Sequence, residues 1–161
     1  MYTDGLPIIV PTEEKVADML KGTSHKPDEV IRLQRDVEMQ GMGLGGALER
    51  PFLRKKGEEV RFMPMGRTAT VELVAVNAVM AGCKPEYFPV ALAIAESGGR
   101  TGDGRGNGVS FVVSGPIHKE IGMNVSYGRF SAMNPPNKTL GRLCSLLWRN
   151  PGVTKGPYPQ S

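Results

Sequence analysis

Two cysteines and two histidines are all that the 161 residues supply of the side chains that most often form disulfides or bind transition metals. Cys83 and Cys144 stand far apart, which excludes a disulfide framework, a Cys-x-x-Cys redox pair and a four-cysteine zinc site. A metal would have to rest on His25, His118 and carboxylates, and their spacing points to no metal site. Aromatic residues make up only 6%, scattered without basic residues between them, which argues against a stacking platform for nucleic acid. The net charge is just +4, and the one basic run, Arg54-Lys55-Lys56, is followed at once by Gly57-Glu58-Glu59, so no basic stripe forms. No apolar run approaches the roughly 18 residues that span a bilayer; Tyr87 to Ala95 is among the longest and contains Pro89. The opening Met1-Tyr2-Thr3-Asp4-Gly5 has neither the basic start nor the apolar segment of a secretory signal. The expectation is a cytoplasmic protein with no membrane and no nucleic acid partner.

What the chain does contain is 40% apolar residues, enough for one compact core, and 21 glycines with 13 prolines, about a fifth of its length. These punctuate short periodic segments. Thr12 can cap a helix over Glu13 to Lys21, with Glu13 and Glu14 suited to its positive end and Gly22 placed to close it in a left-handed conformation. A second short helix is expected to start at Pro27 and to fade by Arg35. From Gln40 to Arg67 the pattern gives way to a glycine-rich stretch, a basic patch and a possible strand at Glu59 to Met63, read as a mobile or partner-binding arm.

Val71 to Ala81 is nearly all apolar, interrupted by Glu72 and Asn77, so a helix there must be wrapped by protein on most sides. Thr68 or Thr70 can cap it and Gly82 can stop it. A further helix starts near Pro85, a strand is expected at Val109 to Val113, a short helix at Ile117 to Ile121, and a last one at Lys138 to Arg149. The fold class is therefore α/β or α+β: a single compact domain over 1–150, with several short helices and a small central sheet, and a loose C-terminal tail at 151–161.

Cys83 is the sharpest chemical candidate. Placed at the N-terminus of the helix that Pro85 begins, it would feel unpaired amides, the positive end of the dipole and the cation of Lys84, all of which favour a thiolate. The competing reading is a small buried residue in a helix corner. Cys144, between Leu143 and Leu147, reads as core. Glu86 and Tyr87 could supply an acid or a hydrogen bond to whatever the thiol attacks, although Glu86 also suits a first turn on its own account. Asn77 is polar in an apolar helix and needs a partner, a pocket or a subunit contact. Ser114-Gly115-Pro116 before a helix is a candidate anion-binding turn, with His118 and Lys119 in the first turn for a carboxylate or phosphate or for proton transfer; solvated side chains are the alternative. The long loop Gly98 to Gly108 precedes its strand and so fails the context test for a dinucleotide or P-loop motif.

Several segments together resemble one family. Asp4-Gly5-Leu6-Pro7-Ile8, Pro11 to Val16, Met19 to Thr23 and Pro27 to Val30 are similar to the opening of one domain of the UGSC family of (seleno)proteins. Thr70-Val71-Glu72 with Ala75 to Val90 resembles its most recognisable block, and Gly115 to Asn124 with Gly141-Arg142 its later ones. The resemblance implies thiol-disulfide oxidoreductase-like chemistry, but the family's Cys-Gly-Ser-Cys or selenocysteine motif is missing from this chain. A second subunit, homologous or bearing the redox motif, is then the expected partner. The stretch Gln34 to Arg67 is longer and more basic than the family's short connection, and the chain stops soon after Asn150 where members continue.

The expected function is thus one subunit of a cysteine-dependent redox or lyase-type enzyme of bacterial-type metabolism, acting on a small anionic metabolite. Catalysis would fall to Cys83, Glu86 and His118. Substrate binding would fall to Asn77, Lys84, Tyr87, Ser114, Gly115, Lys119 and Asn124. The sequence names no cofactor. The alternative is a non-catalytic structural subunit of a hetero-oligomer, with Cys83 as packing and the basic arm gripping the partner.

Overall fold

A computed structural model of the chain describes residues 5–42, 48–62, 66–97, 111–129 and 133–153. It is mostly helical, a small α or α/β arrangement. Helix α1, Glu13–Leu20, is capped by the Thr12 hydroxyl accepting from the Lys15 amide at 3.4 Å, and buries Val16 and Met19. It ends in an ordinary right-handed cap at Lys21. Gly22 therefore serves a purpose other than the left-handed stop expected of it: a Cβ there would fall on the carbonyl oxygen of Pro85. Glycine is needed for close backbone approach, where the end of α1 meets the turn at Pro85.

The helix expected from Pro27 is not formed. Ile31 and Leu33 are buried while Arg32 and Gln34 face out, a period of two that belongs to extended chain. The Ile31 amide donates to the Ala69 carbonyl and the Ile31 carbonyl accepts from Val60, each at 2.9 Å, so residues 29–33 lie between 58–60 and 69–71. Single antiparallel bridges, Val30 with Thr70, Arg32 with Glu59 and Phe62 with Arg67, tie this layer together. The strand expected at Glu59 to Met63 is present only as such bridges, and Met63 lies outside the described residues. Where a mobile or partner-binding arm was expected, strands β1, Val37–Met42, and β2, Leu48–Arg54, pair as an antiparallel ribbon, irregular between Met39 and Gly41. Among the described residues the ribbon pairs with itself and has no broad contact with a helix, so the small central sheet expected is not confirmed. Its basic base is neutralised locally: Lys55 meets Asp36 at 3.1 Å, the Lys56 amide donates to Asp36, and Arg54 bonds Glu58 and the Glu59 carbonyl.

Helix α2, Val71–Ala81, is the centre of the molecule, packed against α1 and against two later helices. Thr70 caps it through the Leu73 amide at 3.2 Å, and Gly82 closes it at φ +87°, as the sequence predicts. Val74, Ala75, Asn77 and Ala78 have no exposure at all. A three-residue turn, Pro85–Tyr87, leads into α3, Phe88–Glu96. Residues 111–113, the described part of the expected Val109 to Val113 strand, pair with nothing as a strand. Phe111 and Val113 lean on the core while Val112 is 95% exposed, so the run covers one surface without joining a sheet. Helix α4 is the short Ile117–Glu120. Helix α5, Pro135–Leu147, starts earlier than Lys138 and buries Leu140, Leu143, Cys144, Leu146 and Leu147. It continues into a π-helical turn, Trp148–Val153, in which Asn150 and Pro151 are buried, so the packed chain runs past the boundary expected at 150. The tail 154–161 and the loop 98–110 lie outside the described residues. Among the described residues no helix is long and apolar enough to cross a membrane.

Candidate functional site

The chemistry expected at Cys83 depends on which helix end it occupies. The Gly82 amide donates to the Val79 carbonyl and the Cys83 amide to the Ala78 carbonyl, both at 2.9 Å, the pair of bonds that closes a helix through a left-handed glycine. Cys83 thus belongs to the C-terminal, negative end of α2, and the helix expected to activate it begins as a mere three-residue turn. Burial pushes the thiol up to about 11, opposed only by a hydrogen bond with Thr139. Lys84 reaches Glu86 at 3.8 Å with both side chains exposed, so its charge is matched by a neighbouring carboxylate. These findings correct the expectation of a stabilised thiolate. Cys144 is held up at about 12 by burial, and its Sγ donates to the Leu140 carbonyl at 3.4 Å. It is core, as its spacing predicts.

The remaining candidates are dispersed. Asn77 does not face a pocket: its amide donates to the Leu73 carbonyl at 2.7 Å, and its oxygen accepts from Asn150. Its partner lies in the turn after α5, which no local signal in the sequence reveals. Tyr87 is buried at the α2–α3 junction. Asn124 braces the chain between α4 and α5: its amide nitrogen donates to Asn137 Oδ1, and the Asn137 side chain donates to the carbonyls of Asn124 and Arg129. Gly115 adopts φ +90°, and its carbonyl accepts from His118 Nδ1. That bond leaves Nε2 as the acceptor of a neutral His118 ring. Lys119 is exposed.

A concavity lies elsewhere, between α3 and residues 111–117, with a volume of about 910 Å³. Pro89, Val90, Ala93 and Ile94 form one wall, and Phe111, Val113 and Ile117 the other. Among the described residues, three polar side chains reach it: Arg35, Ser97 and Ser114. Of the residues singled out from the sequence, only Ser114 lines it. Arg35, Ala93 and Ser97 were missed. A visible signal did exist in the small or ring-constrained residues at 89, 93 and 97, which recur every four positions and leave one stripe of α3 open. A volume of this size and an apolar lining with few polar groups are the usual properties of a small-molecule site. Compared with known protein families, curated proteins and solved structures, the chain finds no match.

Proposed function

We propose that the chain is one subunit of a cytoplasmic enzyme acting on a small anionic metabolite. In this reading it contributes the binding cleft between α3 and residues 111–117, and a second subunit, homologous or bearing a redox motif, contributes the reactive group. The observation that carries the reading is the cleft itself: apolar walls with the guanidinium of Arg35 among its three polar side chains. The burial of both thiols supports placing the reactive group on a partner, since neither is poised as a thiolate. The resemblance to the UGSC family, whose redox motif this chain lacks, points the same way. Free cysteines fit a reducing compartment. The test is titration of isotope-labelled protein with a panel of small carboxylates and phosphate esters, following backbone amide shifts. Saturable shifts confined to α3 and 111–117, weakened by Arg35→Gln, support the reading; a panel that leaves those amides unmoved sinks it.

The structural-subunit alternative is favoured by one specific observation. Tyr127 is 99% exposed and Met133 88% exposed, at either side of the loop that the Asn124–Asn137 bonds brace. Large apolar side chains held outward on a braced loop suit contact with another protein. If Tyr127→Ser abolishes a stable complex while the cleft binds nothing, assembly is the function.

A further inference from the structure

The cleft has a direction. Pro89, Ala93 and Ser97 lie along one row of α3, with Val90 and Ile94 in the next, so the wall is a straight apolar trough ending in a hydroxyl. At the rise of an α-helix, the row from Pro89 to Ser97 is about 12 Å long. The described residues of the facing wall, Phe111, Val113 and Ile117, carry no charge. Arg35 joins the lining from a segment whose preceding residue, Gln34, hydrogen-bonds the carboxyl of Glu96, the residue before Ser97.

The charges around that end are accounted for. Asp36, next to Arg35, is taken by Lys55 and by the Lys56 amide. Glu96 is half-buried and engaged by Gln34, and burial disfavours its charged form. Among the described residues no carboxylate forms an ion pair with Arg35. The hydroxyl of Ser97 donates to the Ile94 carbonyl at 2.7 Å, leaving its lone pairs toward any donor that enters.

Resting on the reading of this cleft as the ligand site, we infer that its ligand is a monocarboxylate with an extended apolar body. The carboxylate meets Arg35, whose planar fork matches two carboxylate oxygens, and the body lies along the Pro89–Ala93 row. A dianion does not fit the described lining, because its second charge would lie among Val90, Ile94 and Ile117, where no described residue offers it a partner. A neutral apolar molecule fills the trough but leaves the guanidinium unmatched.

The experiment titrates the full chain with octanoate, octanol, acetate and inorganic phosphate, following amide shifts by NMR and affinity by calorimetry. Octanoate is expected to saturate with shifts on α3 and 111–117, octanol to bind there about tenfold more weakly, and acetate and phosphate not to saturate. Arg35→Gln brings octanoate down to the octanol level. Ala93→Trp, at an exposed position of α3, fills the trough and removes binding of both. Three results overturn the inference: phosphate or acetate binding the cleft as tightly as octanoate, an Arg35→Gln variant that binds octanoate unchanged, or a dimer that Ala93→Trp dissociates, which would assign the trough to a second copy. The first two leave the cleft a ligand site of another class. Failure of all probes at α3 and 111–117 removes the underlying reading as well. Arg35→Gln alters only an exposed side chain, so it remains informative if Ala93→Trp fails to fold.

Discussion

Alkylation of Cys83 as a function of pH and urea separates a thiol enzyme from a packed corner. Burial raises this thiol from an ordinary 9.0 to about 11, two pH units, so at pH 8 its thiolate fraction falls about 100-fold below that of a free cysteine. Access adds to this, because the side chain is 9% exposed and the Ala78 and Val79 carbonyls close the helix end beside it. Iodoacetamide should therefore modify Cys83 at least about 100-fold more slowly than a model peptide at pH 8, with a rate that climbs with sub-denaturing urea as opening exposes it. The same burial sets the alkaline limit of stability. The native state keeps protons on Cys83 and Cys144 that the unfolded chain releases, so this contribution is intact below about pH 9. It is lost as pH rises through about 11 for Cys83 and about 12 for Cys144. For Cys83 the full loss is about 3 kcal/mol. Urea melts at pH 8 and pH 10.5 sample the loss from both thiols together, and Cys83→Ala should remove about half of the difference. A Cys83 that reacts at pH 7 with an apparent pKa under about 8.5, at a rate indifferent to urea, would refute the argument and restore the thiolate reading.

Gly22→Ala should destabilise by about 1–2 kcal/mol in urea melts: the added methyl meets the Pro85 carbonyl, an overpacking cost of about 1–3 kcal/mol that outweighs the modest entropic gain of replacing glycine. A neutral or stabilised variant would show that α1 is not seated against the 85–87 turn. Asn137→Ala removes the bonds to Asn124 and Arg129 and should cost about 1–3 kcal/mol, with amide exchange accelerating first at Asn124. Uniform acceleration across α2 instead would mean that this loop is not an independent unit. For His118, the bond from Nδ1 to the Gly115 carbonyl predicts the Nδ1-protonated tautomer in the neutral ring, which ring-nitrogen shifts report directly; the opposite tautomer would remove Nε2 as an acceptor.

Much of the helical scaffold is legible in the sequence because its signals are local. Thr70 and Gly82 bracket α2, Thr12 opens α1, and the leucine spacing of α5 reports its buried stripe. The failures share one cause, the dominance of partners remote in the chain. Ile31 and Leu33 look helical beside Val30, but Ala69 and Val60 claim the backbone groups of Ile31, and Glu58 and Gly57 those of Leu33, and make the segment extended. Gly22 has the position of a helix stop, yet the backbone of Pro85 explains it. The candidate site suffers in the same way. Cys83 stands before a proline that opens a helical turn and after a glycine that closes a helix, and sequence alone does not say which end it feels. The hydrogen bonds to Ala78 and Val79 decide, and they reverse the sign of the electrostatic argument.

That reversal bears on where any reaction can take place. The cleft beside α3 offers a cation, two hydroxyls and apolar walls, which hold and orient but do not move protons or electrons. The ring of His118 follows Ile117 of the cleft wall by one residue, with Nδ1 committed to Gly115 and Nε2 left as an acceptor, as Glu96 precedes Ser97 by one residue. A neutral imidazole can assist a proton transfer, but it supplies no redox equivalent. Redox chemistry of the kind proposed above would draw on a group other than these side chains, a bound cofactor or a second chain, and the exposed Tyr127 and Met133 offer one surface for such a chain. Proton-transfer chemistry requires only that substrate bring its reacting carbon to Nε2. His118→Gln distinguishes these: it abolishes a lyase-type reaction of this subunit and leaves a partner-dependent redox reaction with its binding step intact.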